Sequence, residues 1–224
     1  MNLKLAQLVT DEMRITSFNN EPNSVIPFLN AGRGQDSFYV DRLPVHVGQL
    51  SGLPDELDAI IATADLQGRE QFQKGVGFPP RLLGEVLPEQ LVSELLPELN
   101  VLPERTGIIL AGDFYTVPNL DKRGGSGDVT DVWQAFARHF KWVVGVAGNH
   151  DMYGSSVSPT HRLAGNAHYL DAKSTAVDSI TFAGIGGIVG NPGKPHRKTD
   201  DEFVTHIETL VQPAPDILVM HDGP

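Results

Sequence analysis

The 224-residue sequence contains no cysteine. Disulfides, thiolate metal sites and cysteine nucleophiles are therefore excluded. Any metal must be held by Asp, Glu, His, Asn or Gln, a donor set suited to hard or borderline divalent cations. No apolar run approaches the roughly 18 residues that a membrane span needs, and the opening Met1-Asn2-Leu3-Lys4-Leu5 lacks the apolar core of a secretory signal. A cytoplasmic protein with no membrane partner is the expectation. Positive charge is also scarce: 17 Lys and Arg stand against 28 Asp and Glu, for a formal charge of −11. That balance argues against nucleic acid as a partner bound through net charge, as does the want of an aromatic–basic strip. A clustered acidic metal site would add to the negative count.

What is present is the patterning of an α/β protein. The length suits one large domain, with roughly 70% of the unfolded chain's surface buried on folding. Residues 1 to about 55 are turn-rich, with Val25–Leu29 and Phe38–Val40 as short apolar pieces that read as edge strands. Beyond residue 58, four continuous apolar runs read as strands buried on both faces: 59–62, 108–111, 142–147 and 217–220. Helical periodicity falls between them. It covers 87–99, with Pro88 in the first turn and Pro97 ending the helix, and 129–140. A third helix, opened by a capping box at Thr199-Asp200-Asp201-Glu202, runs to about Val211. Shorter strands are expected near 169–170, 176–177 and 180–185, with Asp178-Ser179 as a tight turn. The alternation implies a largely parallel central sheet, whose ligands bind beyond the carboxyl ends of the strands.

Each of the four apolar runs ends in a residue able to ligate a metal. They lead into Ala64-Asp65-Leu66-Gln67-Gly68, Gly112-Asp113-Phe114, Gly148-Asn149-His150-Asp151 and His221-Asp222-Gly223. A lone Asp or Asn after a strand usually caps a helix or opens a turn. Four together are another matter, and Gly-Asn-His-Asp should arise by chance on the order of once in a thousand chains of this length. Neighbouring strands lie about 4.8 Å apart, so these ends can meet at one site.

In this order the motifs resemble those of the calcineurin-like metallophosphoesterase superfamily, over residues 58–224. The resemblance implies a layered α/β sandwich of mixed sheets flanked by helices, with residues 1–57 as an N-terminal extension packed on it. It implies metal-dependent hydrolysis of a small-molecule phosphate mono- or diester by metal-activated hydroxide, with two divalent ions (Mn, Fe, Zn or Mg) as cofactors. It assigns Asp65 to the first metal, Asp113 as the bridge, and Asn149 and His221 to the second metal. His150 becomes the general acid or transition-state stabiliser, and Asp151 the carboxylate that orients its ring.

Two departures stand out. Gln67 occupies the place of a histidine, either as a neutral oxygen ligand that favours Mn²⁺ or Mg²⁺ over Zn²⁺ or as a hydrogen-bonding group only. The family's Gly-His-x-His motif is missing, so the chain reads as a truncated form of a longer protein that lacks its C-terminal strands. Two loops offer cations to a substrate phosphate: Arg123 after the second motif, and His196 and Arg197 in 190–198. Both loops can equally be solvated surface. The competing reading is a binding or scaffold protein with a degraded site; a nuclease is a third, weakened by the acidic balance.

Overall fold

The computed structural model describes residues 12–32, 38–71, 79–122, 124–159 and 162–222. The N-terminal part forms β1 (Arg14–Phe18), β2 (Ser24–Ala31), β3 (Phe38–Val45) and β4 (Gly48–Ser51). The chain continues through β5 (Ala59–Thr63), the two-residue β6 (Arg69–Glu70), α1 (Leu83–Gln90), a π-helical turn (Leu91–Leu95) and α2 (Leu96–Leu99). Next come β7 (Thr106–Leu110), β8 (Gly127–Asp128), α3 (Thr130–His139), β9 (Trp142–Gly145) and β10 (Asp151–Met152). The last part comprises β11 (Ala167–Tyr169), β12 (Lys173–Val177), β13 (Ile180–Ile185), β14 (Ile188–Val189), β15 (Arg197–Lys198), α4 (Asp200–Val211) and β16 (Ile217–Met220).

The fold is α/β with mixed sheets. Its central sheet, in the order β11-β9-β7-β5, is parallel throughout. A second sheet, β12-β13-β16, pairs antiparallel on one side of β13 and parallel on the other. Alternating side chains explain the unbroken apolar runs. Ile108, Leu110 and Val143 face a core shared with Val132, Trp133 and Phe136 of α3. Ile109 and Val144 face the opposite core, shared with Phe182 of β13 and Val219 of β16. Phe203 and Leu210 of α4 then cover Ala183 and Ile185 on β13. The layers therefore run helices, sheet, sheet, helix.

Several local expectations are met in detail. Thr199 and Glu202 exchange side-chain-to-backbone bonds as a capping box at the start of α4. Asp178 and Ser179 both take positive φ in the β12–β13 hairpin, the backbone a two-residue hairpin turn requires.

Two expectations are corrected. The first concerns the helix read over 87–99, which begins at Leu83 and so carries Pro88 in its interior. At 91–95 it widens, so that the Leu96 N–H donates to the Leu91 carbonyl five residues back. Pro97, which has no N–H to give, is absorbed where the ladder has already slipped by one residue. The second concerns the N-terminal strands, which are not all at edges. β2 lies between β3 and β6, with Ile26 and Phe28 in the main core and Leu29 and Ala31 against Leu120. β2 and β3 are thereby bound to the first-motif segment through β6.

One buried cation ties this corner together. Arg69 is 6% exposed and donates to the carbonyls of Val117 (3.1 Å), Pro80 (2.6 Å) and Thr116 (2.7 Å). It pins the loop that follows the second motif to the strand that follows the first. Arg69→Leu is expected to destabilise the fold by about 3 kcal/mol or more, because it strands three buried acceptors. Urea denaturation of the variant beside the parent protein measures this, and an unchanged midpoint would count against the role.

Candidate metal centre

Asp65 and Asp113 stand just beyond β5 and β7, and both adopt left-handed backbone, with φ of 54° and 61°. Asp tolerates that conformation better than most residues, and here it lets each chain turn sharply off its strand. Parallel pairing of β5 with β7 continues into this turn: the Ala111 N–H donates to Thr63 and the Asp65 N–H to Gly112, each at 2.9 Å. The second and third motifs approach still more closely. A Cβ on Gly112 would lie 2.4 Å from the Gly148 nitrogen, and one on Gly148 would lie 1.9 Å from Asp113 Oδ1. Glycine at both positions is a steric requirement.

Asp113, 5% exposed, sits at the centre. Its Oδ1 accepts the His150 backbone N–H at 3.0 Å and lies 3.5 Å from His221 Nε2. Its Oδ2 accepts the Gln67 amide at 2.8 Å and lies 3.9 Å from His150 Nε2. Burial pushes the Asp113 carboxyl up, but His221 and the His150 N–H outweigh it and hold it below the ordinary carboxylate value. Asp65 is the exposed member. Partial desolvation raises its pKa most, with His221 opposing and Asp113 adding to the rise.

His221 follows β16. Its Nδ1 lies 2.8 Å from the Ala111 carbonyl, and a carbonyl can only accept, so Nδ1 carries the hydrogen and Nε2 is the atom turned to Asp113. A ligand histidine is commonly oriented in this way, by a carbonyl on its far nitrogen. One ligand atom from each of Asp65, Asp113 and His221 lies within 4.8 Å of the others. Two carboxylates and an imidazole whose Nε2 faces one of them fit a divalent cation by donor chemistry. Burial disfavours the His221 imidazolium, yet Asp113, the Ala111 carbonyl and Asp65 raise its pKa to about 9.

The other expected residues distribute as follows. Gln67 is turned to Asp113 through its amide nitrogen, which is the hydrogen-bonding role. Asn149 occupies the turn between Gly148 and His150, beside the close approach. His196 takes φ of 50° and buries its Nε2 without a hydrogen-bond partner among the described residues. Burial lowers its pKa, against the pull of Asp171. Arg197 pairs with Ile188, and its guanidinium lies over Gly190 of its own loop. Arg123 lies outside the described residues.

The role expected of Asp151 is corrected. Its carboxylate does not orient the His150 ring. Oδ2 accepts the N–H groups of Asp113 and Gly148 and Oδ1 that of Phe114, all at 2.8 Å, and the residue is fully buried. Burial pushes this carboxyl up, opposed by those three donors. The ring of His150 is held instead by the Gly125 carbonyl, 2.5 Å from Nδ1. Gly125 belongs to a run, Gly124-Gly125-Ser126-Gly127, whose backbone threads a narrow space. A Cβ on Gly127 would fall 2.1 Å from the Tyr115 ring, and one on Gly125 2.8 Å from Val117. β8 then pairs with β10 beside the third motif. The glycine run was the visible signal of this contact; which carbonyl it would present was not.

No protein-family model matches the chain, and no curated protein is significantly similar to it.

Two outcomes are expected. Asp151→Asn places an amide N–H against a backbone N–H, and should cost about 2–4 kcal/mol of stability; an unchanged urea midpoint would count against the three-donor role. In protein freed of metal by chelation, the raised pKa of His221 adds stability that is complete below pH 6.5 and lost as pH rises towards about 9. The side chain is only 8% exposed, so the loss should be on the order of 3 kcal/mol. Denaturation of the chelated protein across pH 6–10, with His221→Gln as reference, tests it; parallel profiles would refute it.

Proposed function

We propose that the protein is a metal-dependent phosphoester hydrolase of the metallophosphoesterase type, with Asp65, Asp113 and His221 as metal ligands and His150 as proton donor. The observation that carries this reading is the meeting of Asp65, Asp113 and His221 within 4.8 Å, where the ends of β5 and β7 in the central sheet approach the end of β16 in the second sheet, with His150 Nε2 3.9 Å from the same Asp113. The order and identity of the motifs that bring them there support it further. Bound divalent cations would supply the positive charge that acidifies water and neutralises phosphoryl oxygens.

The remaining work falls to the chain. Asp113 offers an oxygen to each side and is fixed on both. Its Oδ2 is held by Gln67 and its Oδ1 by the His150 N–H, so it cannot rotate away when a cation binds. His150 gives its Nδ1 hydrogen to Gly125; a proton for the leaving group must therefore sit on Nε2, which requires the imidazolium. Water adds its oxygen to phosphorus, the bond from phosphorus to the leaving oxygen breaks, and that oxygen takes the Nε2 proton. The proton shed by the water passes to solvent, which later recharges His150.

His150→Ala is expected to lower kcat by about 10²–10⁴ while Mn²⁺ still binds, the usual range for loss of a general acid. Asp113→Asn should remove both metal binding and turnover. Calorimetric Mn²⁺ titration and turnover of generic mono- and diesters read the two effects. Bound metal with no turnover of any ester, and indifference to His150→Ala, would instead assign a binding or scaffold role.

A further inference from the structure

The antiparallel ribbon of β2 and β3 ends at the metal edge of the molecule. Its register pairs Phe28 with Asp41 and Asn30 with Tyr39. Residues directly opposite each other, and residues two apart on one strand, project to the same face. Phe28, Asn30, Tyr39 and Asp41 therefore form one patch, and their bonds agree with this. Asp41 Oδ2 accepts the Asn30 amide at 3.1 Å and the Tyr39 hydroxyl at 3.2 Å. Asn30 Oδ1 accepts the Ala31 N–H at 2.8 Å, which fixes the amide plane.

This patch faces a cavity of about 200 Å³, lined by Phe28, Asn30 and Tyr39 from the ribbon and by Asp65, Gln67 and Gly124 from the site. Gly124 is the residue beside the His150 ring: a Cβ there would meet His150 Cε1 at 3.4 Å. The cavity thus runs from a metal-ligand carboxylate to the neighbour of the proton donor. Phe28 is packed rigidly, since its ring fills the space a Cβ on Gly68 would need. Tyr39 is 40% exposed, so its ring is open to contact, while its hydroxyl is held by Asp41.

We propose that the N-terminal ribbon forms the leaving-group wall of the site, and that Tyr39, Phe28 and Asn30 select a phosphoester whose leaving alcohol is a compact planar ring, aryl or heteroaryl. This rests on the hydrolase reading above: with phosphorus beside Asp113 and the leaving oxygen towards His150, the leaving group extends into this cavity. Two aromatic side chains on one face offer a ring the stacked or edge-on contacts it prefers. The second amide hydrogen of Asn30, left over from Asp41, can bond a ring heteroatom or substituent. The volume of about 200 Å³ suits a single ring, below the roughly 300–1,000 Å³ of pockets built for larger ligands.

The test compares phenyl and ethyl phosphates, each as monoester and diester, with the full chain and Mn²⁺. Tyr39→Ala should raise KM for the phenyl esters about tenfold and change kcat/KM for the ethyl esters less than twofold, a split that general loss of folding cannot produce. Phenylphosphonate, with Mg²⁺ present, should shift the Asn30 side-chain amide resonance in the parent protein and not in Tyr39→Ala. An equal effect on both ester types, or none on either, overturns the assignment of the wall. Phosphonate binding without turnover of any ester supports the wall and overturns the hydrolase reading.

Discussion

The buried carboxylate of Asp151 is the constraint on which the rest of the site depends. Three backbone N–H groups, from Gly148, Asp113 and Phe114, converge on its two oxygens. Two of them belong to the turn after β7, the third to the turn after β9. Without an acceptor between them these donors would be buried and unpaired, at a cost of about 1–3 kcal/mol each. With it, the turns lock together at a separation that only glycine at 112 and 148 permits. The Asp113 backbone is thereby fixed, and its side chain is delivered to the point where Asp65 arrives from the neighbouring β5 and His221 from β16 of the second sheet. The carboxylate that fixes the site is thus not one of the two that meet His221 within it.

Support reaches the site from two further directions. The glycine run 124–127 threads between Tyr115 and His150 and sets the imidazole through the Gly125 carbonyl. Arg69 fastens the segment after Asp113 to the segment after Asp65. In each case the fixing group is main chain, or acts on main chain.

Much of this was legible in the sequence, and the reason is physical. A strand buried on both faces leaves an unbroken apolar run, as β7 and β9 do; β5 and β16 carry the same apolar run but are half-buried strands at the edges of their sheets, and a polar residue at the end of each of the four is conspicuous. The α4 capping box was equally direct, because its two partners are three residues apart. The misread parts depend on contacts distant in sequence. Nothing local distinguishes an Asp that accepts three backbone N–H groups from one that orients a histidine, since both follow His150 directly. Pro88 looked like a helix start because the first turn is where proline costs least; packing of α1 on α3 outweighs that cost. The second partner of β2, beyond β3, is a two-residue strand, β6, too short to leave any pattern of its own.

Electrostatics explains why these groups are stable together. Asp65, Asp113 and Asp151 bring three carboxylates to one edge of a chain already at −11, and neighbouring like charges raise each other's pKa. The Asp151 carboxyl is pushed up by burial and by Asp113, and its three backbone donors oppose that rise without cancelling it. Asp113 and Asp65 instead share His221, whose imidazolium they hold to about pH 9. The proton on that ring and a divalent cation answer the same need, charge compensation on the same side of Asp113, and the Ala111 carbonyl keeps Nε2 aimed there in either case. On the proposed reading, a divalent cation would meet Asp65, Asp113 and His221 already gathered within 4.8 Å of one another. Such preorganisation would leave desolvation of the ion and release of one proton as the main costs of binding.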